Sequence, residues 1–203
     1  MKIVCIGRNY AQHAKELHNE VPEKPLFFVK PDTALLTENK PFYFPEFSKN
    51  IRYECELVYK INKVGKNISE KFASKYYTQI GLGIDFTAQD LQEDCKEKRY
   101  PWEIAKGFDS SAVVSNFIPL TSLQQPENIN FHLELNGTTV QIGKTEEMLF
   151  PIDKFLAYVS QFMTLKTGDL IFTGTPAGVG SIKIGDRLVG FLEEKEMFNF
   201  EIK

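Results

Sequence analysis

The chain has 203 residues and a formal net charge of −3, with 42% apolar and 25% charged residues. This length fits one domain, residues 1–203, with its own hydrophobic core. The slight negative charge argues against nucleic acid as a partner. No apolar run approaches bilayer-spanning length, which argues against a membrane partner. Because the N-terminus lacks signal-peptide features and the three cysteines lack zinc-like spacing, we predict a cytoplasmic protein.

Periodicity and turn residues predict a strand-rich α+β fold with a rolled or sandwiched sheet. The predicted strands lie at 2–6, 26–30, 53–61, 79–86, 169–174, 187–192 and 197–202, with a hairpin over 129–143 that turns at Asn136-Gly137. The predicted helices cover 10–18, 69–76, 88–99 and 152–163, with Ser69 and Thr87 capping the second and third.

Glu54 and Glu56 lie two residues apart in the predicted strand over 53–61. Side chains alternate along a strand, so both carboxylates point to the same side. At about 4 Å their repulsion costs roughly 4 kcal/mol at an effective dielectric of 20. A hard cation would convert that repulsion into binding, with Asp85 at the end of another strand as a third oxygen ligand. The alternative is an edge strand whose glutamates face water.

Two further groups of residues could carry chemistry. His13 and Glu16 are spaced to share one face of a helix, where the carboxylate would make the imidazole a better general base. Lys106, between an apolar turn and a strand, could stabilise an oxyanion. Each also has an ordinary structural interpretation: His13 and Glu16 could be a surface pair, and Lys106 a solvated loop lysine.

The glycine-rich segment 173–180, TGTPAGVG, contains Thr175 and could bring backbone N–H groups close to a carboxylate. It is not a phosphate-binding Walker loop, because no Gly-Lys-Ser/Thr follows.

Taken in order, these segments resemble the fumarylacetoacetate hydrolase family, and the resemblance runs over almost the entire chain. It is nearest to the short members, the acylpyruvate hydrolases and oxaloacetate decarboxylases. The segments that carry it are GRNYAQHAKE, LFFVKP, YECELVYKI, GLGIDFTAQDLQ, PWEIAKGFD and GDLIFTGTPAGVG.

The resemblance implies the family's mixed β-roll, assembled as a homodimer, with a small-molecule 2-oxo acid as substrate. It implies that Glu54, Glu56 and Asp85 bind Mg²⁺ or Mn²⁺, with Ca²⁺ as a non-native occupant. Its other assignments are His13 and Glu16 as the pair that activates water, Lys106 as the active-site lysine, and Arg8, Asn9, Gln92 and Thr175 as substrate-binding residues.

One position departs from the family pattern. Gln89 stands where the short members commonly have an arginine that contacts a substrate carboxylate. Glutamine supplies hydrogen bonds but no charge, which puts a dicarboxylate substrate in doubt.

The implied activity is metal-dependent hydrolysis of a C–C bond in a 2,4-diketo acid, releasing pyruvate and a carboxylic acid. The same site could decarboxylate an oxaloacetate-type acid or isomerise a 2-hydroxy-dienedioate, so motifs alone do not select the reaction. A catalytically silent protein that binds a keto acid is the non-enzyme alternative.

Overall fold

A computed structural model describes residues 1–12 and 22–203 and confirms a strand-rich α+β fold. The strands are β1 Ile3–Gly7, β2 Leu26–Lys30, β3 Leu35–Leu36, β4 Ile51–Tyr53, β5 Cys55–Ile61, β6 Tyr77–Asp85, β7 Thr87–Ala88, β8 Ala112–Val114, β9 Ile118–Pro119, β10 Asn130–Leu135, β11 Thr138–Lys144, β12 Leu170–Phe172, β13 Gly180–Ser181, β14 Arg187–Leu192 and β15 Lys195–Glu201. The α-helices with both ends inside the described residues are α1 Gln89–Lys98, α2 Glu103–Lys106 and α3 Ile152–Val159. In the same part of the chain, four short 3₁₀ helices cover Asp32–Ala34, Glu70–Tyr76, Leu120–Ser122 and Thr145–Glu147.

The largest sheet is mixed, with the strand order β2-β1-β12-β5-β6-β8-β3 and with β9 added on β6. The pairs β1–β12 and β3–β8 are parallel, and the remaining pairs are antiparallel. The antiparallel pairing of β5 with β6 places the start of β5 beside the end of β6. This end of the sheet is where the acidic residues meet.

Two smaller sheets flank the first, with the orders β11-β10-β14-β15 and β13-β4-β7. The main core joins apolar side chains of the large sheet to those of the four-stranded sheet and α3. A second cluster includes Ile3, Cys5, Val58 and Phe172. Because many side chains of the central strands are buried, these strands read as nearly continuous apolar runs rather than as alternating ones.

The prediction of one strand over 53–61 is wrong in one respect. The chain forms two strands, β4 and β5, and Glu54 lies between them. The chain changes sheets at Glu54, because β4 pairs with β7 and β13 whereas β5 pairs with β6 and β12. Glu54 therefore lies outside the regular ladder.

The predicted helix starts also need correction. Ser69 precedes a 3₁₀ helix and makes no side-chain capping bond. Thr87 belongs to β7, and Ala88 is the residue before α1. The helix predicted over 152–163 ends at Val159. The helix predicted over 10–18 lies mostly outside the described residues.

The hairpin prediction is confirmed. Strands β10 and β11 pair antiparallel, and Asn136 and Gly137 both have positive φ, at 53° and 79°. Two such residues form the turn whose twist matches the flanking strands. The hairpin carries β11 toward the acidic end of the large sheet.

Gly174 follows β12 and has a φ of +91°. A Cβ at this position would lie 2.7 Å from the Asn9 Cβ, so the loop after β12 packs directly against the loop after β1. Glycine is needed here for both its conformation and its small size.

We predict that Gly174→Ala destabilises the protein more than Gly185→Ala. Gly185 has a similar φ of +94°, but nothing lies within 4 Å of its added Cβ. The left-handed conformation costs about 1–2 kcal/mol in both variants, and the Asn9 clash adds roughly 1–3 kcal/mol in the first. Urea unfolding measures both, and equal losses would contradict the close approach.

Candidate active site

Glu54, Glu56 and Asp85 meet at the end of the large sheet. Glu56 lies in β5, Asp85 ends β6, and the Asp85 N–H donates to the Glu54 carbonyl oxygen at 2.8 Å. One carboxylate oxygen from each residue lies within 4.8 Å of the other two. Glu56 and Asp85 are 2% and 1% exposed, so water cannot neutralise this concentration of charge.

Specific donors hold two of these carboxylates in place. The Thr87 hydroxyl donates to Glu54 Oε1 at 2.7 Å, and the Gly174 N–H donates to Glu56 Oε2 at 2.6 Å. Thr87 thus fixes an acidic side chain of the site instead of capping α1. The packing that requires glycine at 174 also brings its N–H to Glu56.

Lys106, at the end of α2, is a buried cation that contacts two of the three carboxylates. Its Nζ donates to Glu54 Oε2 and Asp85 Oδ2, each at 2.9 Å. Burial lowers the pKa of the Lys106 ammonium, but the Asp85 and Glu54 carboxylates outweigh burial and raise its pKa well above the ordinary value. In the metal-free site Lys106 is therefore an ammonium near neutral pH.

Lys30 is a second buried cation near the cluster, and it was not predicted from the sequence. It ends β2, is 0% exposed, and donates through Nζ to the carbonyl oxygens of Phe86, Lys106 and Ser111. The same Nζ lies 2.7 Å from Asp85 Oδ1. The feature of the sequence that could have predicted a buried cation is the lysine at the end of the apolar strand LFFVKP.

Asp85 Oδ1 accepts no hydrogen bond from the described residues, although it forms the ion pair with Lys30. We interpret the contact as a charge interaction with poor hydrogen-bond alignment. A buried carboxylate oxygen in this state retains lone pairs that a metal ion could use.

Burial raises the pKa of Glu56 well above its ordinary value, and the neighbouring Asp85 and Glu54 carboxylates raise it further. The Gly174 N–H and Lys106 oppose this shift without cancelling it. The acidic cluster is thus short of positive charge. Its oxygen donors and the available oxygen of Asp85 fit a hard divalent cation, so the three residues could hold a metal ion.

A cavity opens beside the cluster and is lined by several of the predicted residues. Arg8, Gln92, Lys106 and Thr175 all contribute to its wall together with Glu54 and Glu56. Other lining residues were not predicted from the sequence, among them Lys96 of α1, Leu26, Phe28 and Trp102. Residues far apart in sequence therefore share one cavity.

Other predicted site residues have different surroundings. The Asn9 amide donates to the carbonyl oxygens of Phe150 and Thr173 and accepts from the Phe150 N–H, so these contacts hold main chain together. The substrate contact predicted for Asn9 stays a prediction.

Gln89 is buried, and its Nε2 donates to Glu93 Oε1 at 2.8 Å. His13 and Glu16 lie outside the described residues.

Gln141 supports the site from the neighbouring sheet. This residue of β11 is 1% exposed, and its Oε1 accepts from the N–H of Cys55, the residue between Glu54 and Glu56, at 2.9 Å. Its Nε2 donates to Thr175 Oγ1 at 2.8 Å and to the Pro176 carbonyl oxygen at 3.0 Å. One side chain thus connects the acidic strand with the loop after β12.

These features define a class of protein, a strand-rich α+β fold with a buried carboxylate–lysine site beside a small cavity. The family model for the C-terminal domain of fumarylacetoacetate hydrolase matches residues 2–203. The chain belongs to the fumarylacetoacetate hydrolase family.

The chain is 42% identical to a mitochondrial oxaloacetate tautomerase of Mus musculus, over 99% of this chain and 91% of that protein. It is also 42% identical to a mitochondrial oxaloacetate decarboxylase of Dictyostelium discoideum, over 91% of this chain and 85% of that protein. The crystal structure of a Pseudomonas aeruginosa fumarylpyruvate hydrolase with Mn²⁺ and pyruvate superposes with a TM-score of 0.94 at 32% identity, covering 100% of this chain and 89% of that one. The predicted family and its fold are confirmed, and these relatives are enzymes.

Within residues 1–12 and 22–203, no helix combines the length and apolar character that crossing a bilayer requires.

We predict that Gln141→Ala destabilises the protein by roughly 1–3 kcal/mol, because the buried Cys55 N–H loses its acceptor. The exposed Gln161, which also bonds a carbonyl oxygen, is the matched control. Gln161→Ala should stay within about 0.5 kcal/mol of the wild type. Denaturant unfolding compares the two, and similar small losses would show that the Gln141 bonds contribute little.

The raised pKa of Glu56 also predicts a pH dependence of stability in the metal-free protein. A carboxyl group with a raised folded-state pKa stabilises fully below its unfolded value, about 4.3, and loses this contribution as pH rises toward the folded value. Glu56→Gln should therefore gain stability relative to the wild type as pH increases from about 4.3.

The measurement is the unfolding free energy against pH with chelator present, for wild type, Glu56→Gln and the exposed-site control Glu194→Gln. If the difference in unfolding free energy between wild type and Glu56→Gln does not change with pH, the raised pKa of Glu56 is contradicted. The control should track the wild type.

Proposed function

We propose that this chain is a divalent-cation-dependent enzyme that hydrolyses a C–C bond in small 2,4-diketo acids, releasing pyruvate and a carboxylic acid. The observation that carries the proposal is the position of the buried Lys106 ammonium, which contacts the acidic cluster directly and lies on the wall of the same cavity. The family-model match over residues 2–203 supports one catalytic domain spanning them.

Glu54, Glu56 and Asp85 would hold Mg²⁺ or Mn²⁺. The fumarylpyruvate hydrolase of Pseudomonas aeruginosa forms a crystalline complex with Mn²⁺ and pyruvate, which supports this assignment by similarity. The bound cation would polarise the oxygens of the 2-oxo acid and orient the substrate.

Lys106 has three N–H donors, and its carboxylate contacts use two of them. The third can donate to the substrate oxygen on which negative charge develops. Thr175 Oγ1 accepts from Gln141 Nε2, so its own hydrogen is available to a substrate carboxylate. Gln92, on the same cavity wall, can supply a further hydrogen bond.

In the proposed reaction His13, oriented by Glu16, removes a proton from water. The water oxygen bonds to the C4 carbonyl carbon, and the C3–C4 bond then breaks. Its electron pair goes to C3 and forms the enolate of pyruvate, which receives at C3 the proton that His13 took from water. The acyl group leaves as the carboxylic acid, so one water is consumed for each bond broken.

Decarboxylation or tautomerisation of oxaloacetate is the second candidate function. The names of the two relatives at 42% identity favour it. Both reactions pass through an enolate that the same lysine can stabilise, and neither needs attacking water. A 2-hydroxy-dienedioate isomerase would use the same groups, and a silent keto-acid-binding protein would use the site for binding alone.

A homodimer and a cytoplasmic location stay predictions. The names of the murine and Dictyostelium relatives place those two proteins in mitochondria.

The proposal predicts that the wild type with Mg²⁺ releases pyruvate from acetylpyruvate. Lys106→Met should lower kcat by roughly 10²–10³-fold, because it removes the donor to the developing oxyanion. Calorimetric Mg²⁺ binding should persist in Lys106→Met, since a competing cation has gone, and should disappear in Glu56→Gln. Lys195→Met, at an exposed position in β15, is the control for loss of a lysine.

No pyruvate release across a panel of acylpyruvates would overturn the hydrolase proposal. Turnover of oxaloacetate alone would support the second candidate, and keto-acid binding without any turnover would support the silent protein. His13→Ala should impair hydrolysis much more than decarboxylation, and equal losses would argue against water activation by His13.

A further inference from the structure

A second cavity, of about 580 Å³, lies on the face of β5 opposite to the acidic cluster. Glu56 and Tyr59 are three residues apart on this strand, so their side chains point to opposite faces of the sheet. Tyr59 lines the second cavity, whereas Glu56 lines the cavity beside the acidic cluster. The described linings of the two cavities share no residue, so the second cavity is separate from the proposed catalytic site.

Tyr59 is a buried polar side chain that lacks a hydrogen-bond partner. It is 4% exposed, and within residues 1–12 and 22–203 its hydroxyl forms no hydrogen bond. The hydroxyl oxygen is not fully enclosed by protein, so it borders the cavity that the residue lines. Buried hydroxyl groups normally have a partner, because an unpaired one loses its bonds to water without replacement. A ligand in the cavity would supply the partner.

The surroundings of the Tyr59 hydroxyl are negative. Burial raises the pKa of this hydroxyl, and the Asp153 carboxylate raises it further. Tyr59 is therefore neutral, and its oxygen can accept a hydrogen bond from a ligand.

Tyr77 places a second aromatic ring beside the first. The ring centroids of Tyr59 and Tyr77 are 5.0 Å apart at an interplanar angle of 75°, and the Tyr77 hydroxyl donates to Asp153 Oδ1 at 2.8 Å. In the described part of the chain no donor bonds to Asp153 Oδ2, so this oxygen keeps its lone pairs for a ligand. Aromatic rings beside a carboxylate attract an organic ammonium through cation–π and charge-assisted contacts.

The charge of the lining has one sign. Three acidic side chains contribute to it, the half-buried Asp153 and the exposed Glu127 and Glu146. The described lining contains no lysine, arginine or histidine. The N-terminus of α3 lies here and opposes a cation, but its partial charge of about half a unit is smaller than that of the three carboxylates together. The balance favours a positively charged ligand.

Two lysines close to the cavity in sequence have other contacts. The Lys75 Nζ lies 5.0 Å from the ring centroid of Phe72. Lys154 follows Asp153 in α3, and its Nζ lies 5.2 Å from the ring centroid of Phe150. Neither lysine lines the cavity, so neither takes the place of an external cation.

The rest of the wall is suited to an apolar molecule. Leu120, Met148, Pro151 and Ile152 supply apolar surface beside the two tyrosines. The volume falls within the range of small-molecule sites, about 300–1,000 Å³. A ligand with an apolar body and one charged end would therefore match both parts of the lining.

We propose that this cavity binds a small organic ammonium ion with an apolar body, whose N–H groups donate to the Tyr59 hydroxyl oxygen and to Asp153 Oδ2. The inference goes beyond the proposed function and does not depend on it, because the residues concerned lie on the other face of β5.

The test is calorimetry on the full chain with two probes of the same shape. Phenethylamine carries an ammonium group at neutral pH, and 2-phenylethanol carries a neutral hydroxyl in its place. The wild type should bind one phenethylamine per chain, about tenfold more tightly than 2-phenylethanol, which is the effect of one charge-assisted contact.

Two variants locate the ammonium group. Asp153→Asn should weaken phenethylamine binding about tenfold and leave 2-phenylethanol binding unchanged, because the asparagine oxygen still accepts from Tyr77 but the charge is gone. Tyr59→Phe keeps the ring and should weaken phenethylamine binding roughly threefold by removing one acceptor. Thermal unfolding checks that each variant is folded, and Tyr59→Phe keeps the test decisive if Asp153→Asn is not.

Asp109→Asn is the matched control, since Asp109 is exposed and does not line this cavity. It removes the same charge from the protein and should bind phenethylamine as the wild type does.

A wild type that binds neither probe, or binds both equally, would overturn the proposal. The first result would also be expected if a second copy of the chain covered the cavity. Phenethylamine binding that is unchanged in both Asp153→Asn and Tyr59→Phe would place the amine elsewhere, and an equal loss in Asp109→Asn would reduce the effect to net charge. Either result would contradict the proposed site.

Discussion

The burial of Glu56 and Asp85, with the partly buried Glu54 beside them at one end of a sheet, is the constraint on which the rest of the site depends. Charges removed from water must be paired, and here the pairing involves Lys106 and Lys30 from separate elements. Their positive charge compensates only part of the negative charge. The sign of this is that burial and the neighbouring acids still raise the pKa of Glu56. The two lysines therefore stabilise the buried cluster but leave part of its negative charge uncompensated. This remaining negative charge favours the binding of a further cation.

The charge network also explains why the scaffold around it is specific. Thr87, Gly174 and Gln141 each donate to or accept from a group at the site, and each comes from a different strand or loop. Gln141 is notable because it belongs to the other sheet. The position of Thr175 therefore depends on how the two sheets pack, and not only on the local sequence of its loop.

The sequence was sufficient for some local features, and the family resemblance was needed to single out the acidic triad. The hairpin at Asn136-Gly137 follows from turn chemistry, whereas the spacing of the two glutamates left open whether they face water or meet Asp85. The change of sheet at Glu54 could not be predicted, because strand partners are set by contacts distant in sequence. Lys30 and Gln141 were missed for the same reason, since the local sequence around a lysine or a glutamine does not indicate what lies across the core.

The parallel pairing of β1 with β12 has a consequence for how the protein folds. Ile3 pairs with Leu170, so the two loops that meet beside the carboxylates come from opposite ends of the chain. Such long-range contacts form only after a large loop has closed, which slows folding. We expect the cavity beside the carboxylates to assemble late, after most of the polypeptide has left the ribosome, so a nascent or C-terminally truncated chain lacks the assembled site.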